Sequence, residues 1–125
     1  MSYCDCDYDY DQPEFFTSRM IGRARKEHRC DECRGPIFIG DSYEKSVGKF
    51  DGVIIRHEEC SDCLEIREWA EISMPCFCAY EWGSLIERVE EMVDDVEREV
   101  EGFREEWDAR RYRLELRKMA RKRVE

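Results

Sequence analysis

The sequence predicts an α+β protein, with a compact zinc-binding unit followed by a long C-terminal α-helical arm. Two CxxC pairs, CDEC and CSDC, flank strand-like runs that are separated by turn residues. After residue 84, apolar residues recur with heptad spacing. These observations divide the chain into an N-terminal extended strap at 1–28, a zinc-binding domain at 29–82 and a helical, coiled-coil-like arm at 83–125.

Composition narrows the classes of function. The chain has 125 residues and a formal net charge of −10, which disfavours nonspecific binding to nucleic acid. It carries no long apolar run and no signal-like N-terminus, so neither membrane insertion nor secretion is expected. Because eight cysteines in a reducing cytosol are typical of metal ligands, zinc is the expected cofactor, with one or two ions per chain.

The first 28 residues are expected to be mostly irregular. Strand-like runs then follow at 37–39, 43–47 and 53–57, with Gly40, Gly48 and Asp51-Gly52 supplying turn chemistry between them. The last two runs should pair as a hairpin. The segment CSDCLEIREWAEI predicts a helix at 60–72, so that its two cysteines lie in the first turn.

The two CxxC pairs predict the first zinc site. Two residues between cysteines let both sulfurs turn towards one ion, and Zn²⁺ favours four such ligands in a tetrahedron. The predicted ligands are Cys30, Cys33, Cys60 and Cys63. Gly35 is expected to adopt the left-handed turn that ends the knuckle. A knuckle, hairpin and helix in this order form a treble clef, and the closed site would be structural.

His57 is an alternative ligand of that site. It lies in register with the second pair as His57-x-x-Cys60-x-x-Cys63, so it can replace Cys63 as in the first site of a LIM domain. The favoured interpretation is a half-buried histidine at the end of a strand, because the two cysteine pairs already complete the site.

Two further pairs, each CxC, suggest a second zinc site. Cys4 and Cys6 match Cys76 and Cys78 in spacing, and together they would supply four thiolates. Such a site would clamp the strap over the finger. The other interpretation is that Cys76 and Cys78 are small core residues and that Cys4 and Cys6 are free thiols.

The predicted arm begins at Ser84, which forms a capping box with Glu87. Its apolar positions are Ile86, Val89, Val93, Val96, Val100, Phe103, Trp107 and Leu114. This stripe fits two arrangements, a coiled-coil homodimer through residues 84–119 or packing against the finger of the same chain. A bend near 102–110 is compatible with Gly102, which lies off the stripe.

The C-terminal end of the arm is basic. Five of its residues are candidates for binding phosphate: Arg110, Arg111, Arg117, Lys118 and Arg121. The favoured interpretation is that these side chains form salt bridges with the surrounding Glu and Asp residues. In one specific version, an antiparallel pairing would lay the acidic segment 87–108 beside the basic segment 110–123.

The stretch ARKEHRCDECRGPIFIGDSYEKSVGKFDGVIIRHEECSDCLEIREW resembles a family of small, mostly uncharacterised phage and prophage zinc-finger proteins, LIM-like in their treble clef. The shared features are an AR-x-x-H-x-C-x-x-C start, an I-x-x-G-x-x-Y turn and a CxxC-L helix. The CxC segments extend the resemblance over residues 4–95. It implies a phage setting, hence the cytoplasm of a bacterial host cell, and a metal site without a defined activity.

The expected function is therefore non-enzymatic. The leading hypothesis is a phage adaptor or inhibitor that binds a host or phage protein complex, such as a bacterial defence system. The alternative is a nucleic-acid-binding regulator that uses the finger and the basic helix end. A degenerate HNH-like nuclease ranks third, because the chain has only two histidines, one beside each CxxC pair.

Overall fold

The computed structural model describes residues 15–74 and 83–124, with side chains described as far as residue 119. Over these residues the chain is α+β, with strands first and helices after them. The strands are β1 (Phe15–Ile21), β2 (His28–Arg29), β3 (Pro36–Ile37), β4 (Tyr43–Phe50) and β5 (Val53–Cys60). The helices are α1 (Ser61–Ser73), α2 (Leu85–Glu97) and α3 (Phe103–Val124).

The predicted hairpin is present and longer than the sequence indicated. Strands β4 and β5 pair antiparallel over their full lengths, from Phe50 opposite Val53 to Tyr43 opposite Cys60. The two residues between them, Asp51 and Gly52, both have positive φ, 49° and 80°. Two left-handed residues in a two-residue loop match the twist of the flanking strands, so the hairpin turn that Asp-Gly predicts is formed.

A third strand, which the sequence analysis did not predict, comes from the strap. Residues 15–21 form β1 and pair antiparallel with β4, giving the sheet order β1-β4-β5. The apolar and polar residues of FFTSRMI do not alternate, and all of them except Ile21 are exposed. Because β1 is held chiefly by backbone pairing along an edge, its side chains carry little periodic signal.

The region after residue 83 is two helices instead of one long arm. The α2 helix ends at Glu97, and Gly102, with φ of 86°, precedes α3. The Glu97 carboxylate accepts hydrogen bonds from the backbone N–H groups of Gly102 and Arg104, at 3.2 and 2.9 Å. This carboxylate caps the start of α3, where unpaired N–H groups and the helix dipole favour a negative charge.

The two helices run antiparallel and pack on the finger. Arg104, early in α3, pairs with Asp94, whereas Arg111, two turns later, pairs with the earlier Glu90. The apolar stripe lies in the same core as the cysteines and α1, through the buried side chains of Val89, Val93, Val96, Phe103, Trp107 and Leu114. Packing within one chain is therefore the arrangement that the structure has.

The core is closed by an aromatic stack between α1 and α3. The Trp69 ring lies 4.6 Å from Phe103 and 6.2 Å from Trp107 between centroids, nearly parallel to both. The Arg110 guanidinium lies 4.5 Å from the centroid of the Trp69 ring, as a cation–π contact.

Among the described residues, no helix is both long and apolar enough to span a bilayer.

Candidate metal centre

The four predicted ligands of the first site come together in one buried cluster. Cys30 and Cys33 lie in the loop between β2 and β3, Cys60 ends β5 and Cys63 lies in the first turn of α1. Their sulfurs lie within 4.8 Å of one another, with 3.7 Å between Cys30 and Cys63 and 3.8 Å between Cys33 and Cys60. A tetrahedron of sulfurs about 2.3 Å from zinc has edges of about 3.8 Å, so the spacing fits zinc.

Backbone N–H groups point at these sulfurs. The N–H groups of Gly35 and Cys60 lie 3.3 Å from the sulfurs of Cys33 and Cys30 respectively. The Cys63 N–H lies 3.4 Å from the Cys60 sulfur, which also makes Cys60 the N-cap of α1. Donors of this kind stabilise thiolates over thiols, and the helix N-terminus adds to the effect.

The knuckle turn differs in detail from the prediction. The left-handed residue is Arg34, with φ of 64°, and not Gly35. Gly35 matters for a different reason, since a Cβ built on it would lie 3.3 Å from the Cys33 sulfur. That position is crowded further by the side-chain stems of Lys118 and Arg117, at 3.5 and 3.8 Å. A side chain at position 35 would press on the Cys33 sulfur, so glycine suits this position by close approach.

Without a cation the four thiols cannot all ionise. Hydrogen bonds from the neighbouring thiols of Cys30, Cys60 and Cys63 lower the pKa of Cys33 far below its ordinary value. The corresponding contacts, led by Cys30, raise the pKa of Cys63. A divalent cation would replace the remaining protons, so metal binding at this cluster would release protons and weaken as the pH falls.

His57 does not lie in the sulfur cluster. Its Nε2 atom lies 2.6 Å from Glu32 Oε2 and 3.9 Å from Glu59 Oε1, and its side chain is 3% exposed. Arg67 completes this group by donating to both oxygens of Glu59, at 2.8 and 3.0 Å. The Arg67 guanidinium supplies the positive charge that the buried carboxylates of Glu32 and Glu59 require. His57, Glu32, Glu59 and Arg67 therefore form a buried ion-pair network.

Glu32 connects the knuckle to the start of α2. Its Oε1 accepts from the N–H of Leu85 at 2.9 Å, and its Oε2 accepts from the N–H of Gly83 at 2.7 Å. Burial opposes its ionisation, but hydrogen bonds from His57 and these N–H groups, with the charge of Arg67, lower the pKa of Glu32. The predicted capping box is not formed, because the Ser84 side chain makes no cap hydrogen bond.

Sequence reasoning missed this role of Glu32. The only signal for it is an acidic residue inside a CxxC loop, which is ordinary in such loops. The burial of Glu59 is equally unexpected, because nothing in the sequence distinguishes this strand residue, which precedes Cys60, from an exposed glutamate. Burial raises the pKa of Glu59, against the opposing effect of Arg67.

The basic residues of α3 face acidic partners on other elements. Arg117 donates to Asp62 at 3.0 Å and to Asp41 at 2.9 Å, and Arg110 lies 3.0 Å from Glu65. Arg111 pairs with Glu90 of α2. Lys118 is more exposed and lies 3.5 Å from Glu115 on its own helix. The side chain of Arg121 falls outside the described part of the chain.

All four cysteines of the predicted second site lie outside the described residues, Cys4 and Cys6 in 1–14 and Cys76 and Cys78 in 75–82. Comparison of the chain with protein-family models, curated proteins and solved structures gives no match.

Proposed function

We propose that this protein is a phage-encoded, non-enzymatic binding protein that acts as an adaptor or inhibitor of a host macromolecular complex. In this proposal, one zinc ion bound by Cys30, Cys33, Cys60 and Cys63 holds a treble-clef finger together. The observation that carries the proposal is the closed cluster of buried sulfurs at zinc-like spacing. A phage setting rests on the motif resemblance alone.

The closed site favours a structural role over a catalytic one. Catalytic zinc sites keep a coordination position for water or substrate, whereas four protein ligands leave none. The described residues also include no second histidine beside His57 that would suit a metal-dependent nuclease. His28 instead lies 2.7 Å from Glu58, through its Nδ1 atom, and 3.3 Å from the Tyr43 hydroxyl.

The placement of the α3 cations favours a protein partner over nucleic acid. Arg110 and Arg117 are each only 17% exposed and are engaged with Glu65, Asp62 and Asp41. Contacts to phosphate would have to replace these ion pairs. A net charge of −10 would further repel a duplex at long range. The nucleic-acid-binding regulator therefore has less support as the alternative.

Affinity purification from a bacterial host followed by mass spectrometry tests the function. Recovery of one defined protein complex at near-stoichiometric yield is the expected result. Recovery of nucleic acid, with duplex binding that falls steeply with salt and is lost on reversal of Arg117 and Lys118, would support the alternative instead. Turnover of DNA in the presence of divalent ions would contradict a non-enzymatic function.

Metal analysis tests the zinc site separately. Substituting Cys33→Ser should abolish zinc binding at the first site, since one of its four ligands is removed. The unaltered chain is expected to bind at least one zinc. A second equivalent that is lost in a Cys4→Ser, Cys6→Ser variant would establish the site predicted from the CxC pairs.

A further inference from the structure

The outer face of the three-stranded sheet is basic, although the protein as a whole is strongly acidic. Residues paired directly across an antiparallel sheet share a face, and the register places Arg19 opposite Lys45, and Val47 opposite Arg56. Lys49 is on the same face, two residues further along β4. Tyr43 and Cys60, at one end of this face, are buried. Arg19, Lys45 and Arg56 are exposed, so the basic part of the face is turned to solvent.

Two of these cations form a like-charge pair. Arg19 and Lys45 are direct cross-strand partners, an arrangement that destabilises a sheet. Glu58 is opposite Lys45 on the other side, but its Oε2 atom lies 2.7 Å from His28 Nδ1. Within the described ranges, no ion pair involves Arg19, Lys45 or Arg56. This contrasts with Arg110 and Arg117 of α3, which are paired.

Apolar side chains lie among these cations. Phe15, Lys49 and Ile54 form one row of the same face, and Val47 occupies the middle of the next. Phe15 is 45% exposed and Ile54 is 57% exposed. With strands about 4.8 Å apart and a rise of about 3.3 Å per residue, the face measures roughly 10 by 20 Å. It can therefore accommodate about six residues of extended chain.

We propose that this outer sheet face, defined by Arg19, Lys45, Lys49, Arg56, Phe15, Val47 and Ile54, binds an acidic polypeptide segment that also carries apolar side chains. The carboxylates would pair with the cations, and the apolar groups would cover Val47 and Ile54. Charge complementarity selects this occupant, because a cationic cluster on an acidic protein attracts a compact acidic segment. The inference rests on the proposed binding function and gives it a surface.

A polypeptide fits this face better than nucleic acid. Single-stranded nucleic acid binds on aromatic platforms, whereas this face offers one aromatic ring, Phe15, and two aliphatic side chains. A duplex carries charge well beyond a face about 20 Å long, and there the net charge of −10 of the protein would oppose its binding. A short acidic peptide places its charge only over the cations.

Fluorescence anisotropy with a short labelled peptide rich in glutamate and leucine tests this inference. The zinc-loaded full chain should bind the peptide, and a Lys45→Glu, Arg56→Glu variant should bind at least about tenfold more weakly. The control is Arg98→Glu, Arg113→Glu, which makes the same charge change at exposed positions away from the sheet. A Lys45→Gln, Arg56→Gln variant removes the two charges without reversing them. It should also bind the peptide more weakly, and an unchanged zinc content would show that it is still folded.

Equal affinities for the sheet variant and its control would overturn the inference, as would no binding of the peptide. Tighter binding of a single-stranded oligonucleotide of matched charge would assign the face to nucleic acid. Self-association of the protein that the sheet variant abolishes, without peptide binding, would assign it to a second copy.

Repeating the host purification with the Lys45→Glu, Arg56→Glu variant and its Arg98→Glu, Arg113→Glu control separates the two proposals. If the Lys45→Glu, Arg56→Glu variant still captures the complex, the inference about the sheet face is wrong but the proposed function stands. Peptide binding without capture of any complex would support the surface and contradict the function.

Discussion

At the residue scale, Glu32 joins two parts of the protein that are distant in sequence. It lies between two cysteines of the four-cysteine cluster, yet its carboxylate accepts hydrogen bonds from Gly83 and Leu85 at the start of α2. It also pairs with His57 at 2.6 Å, and its side chain is fully buried. A buried carboxylate is tolerated because each oxygen has a donor, so the knuckle and the helix position one another.

Substituting Glu32→Gln should therefore destabilise the protein by about 3–5 kcal/mol, the cost of breaking a buried ionic network on one side. The amide keeps the shape but removes the charge that His57 and Arg67 face, and it supplies one acceptor fewer. Urea unfolding of the zinc-loaded protein measures the change. Glu87→Gln is the matched control, and it should change stability by less than about 0.5 kcal/mol because Glu87 is exposed.

At the element scale, α1 and α3 are held together by the stack around Trp69. This ring contacts Phe103, Trp107 and Arg110, and its Nε1 lies 3.4 Å from Glu106. Every one of these partners is on α3. The stack therefore helps to fix how the helical pair packs on α1, with the cysteine cluster at the other end of α1.

Trp69→Ala should cost about 3–5 kcal/mol, because a large buried aromatic side chain leaves a cavity and an unsupported stack. Thermal unfolding should shift to lower temperature, and the near-ultraviolet circular dichroism of the stacked rings should weaken. Ile72→Ala on the same helix is the control. That side chain is 75% exposed, so a comparable loss of stability there would contradict the stack as the anchor.

At the scale of the whole molecule, the cysteine cluster and the helices belong to one core. Cys30, Cys60 and Cys63 are buried in the same cluster of side chains as Val89, Phe103 and Trp107. Structural zinc contributes to folding directly, since its binding free energy is linked to the folded state. Loss of the metal would therefore affect more than the finger.

Removing zinc with a chelator should unfold α2 and α3 together with the finger. Far-ultraviolet circular dichroism should show a single transition that includes most of the helical signal, and added zinc should restore it. Helices that persist unchanged in the metal-free protein would contradict this coupling. A Glu32→Gln variant should lose its helical signal at a lower chelator concentration.

The helical region should also not mediate dimerisation. The stripe that fits a coiled coil is occupied within the chain, with Val89, Phe103 and Trp107 fully buried. A coiled-coil homodimer would have to remove these side chains from their core. Sedimentation equilibrium should therefore show a monomer, and a dimer that is lost on substitution of the exposed Tyr112, Leu116 and Met119 of α3 would contradict this expectation.

Much of the finger could be predicted from the sequence because its signals are local. The CxxC spacing predicts the cluster of Cys30, Cys33, Cys60 and Cys63, and the Asp51-Gly52 pair predicts the hairpin turn. The start of α1 follows from Cys60 and the apolar positions after it. The residues of the apolar stripe at 86–114 could also be predicted, because the helical spacing of apolar residues is visible in the sequence alone.

The sequence by itself thus determined a four-cysteine cluster, a hairpin and an amphipathic helical region. Only the tertiary structure decided that the arm folds back on the finger, that Glu32 caps α2, and that β1 completes the sheet. It also placed Arg117 on Asp41 and Asp62, and left Arg19, Lys45 and Arg56 on an open face. These outcomes depend on which distant charges and apolar surfaces meet, and no local pattern records that choice.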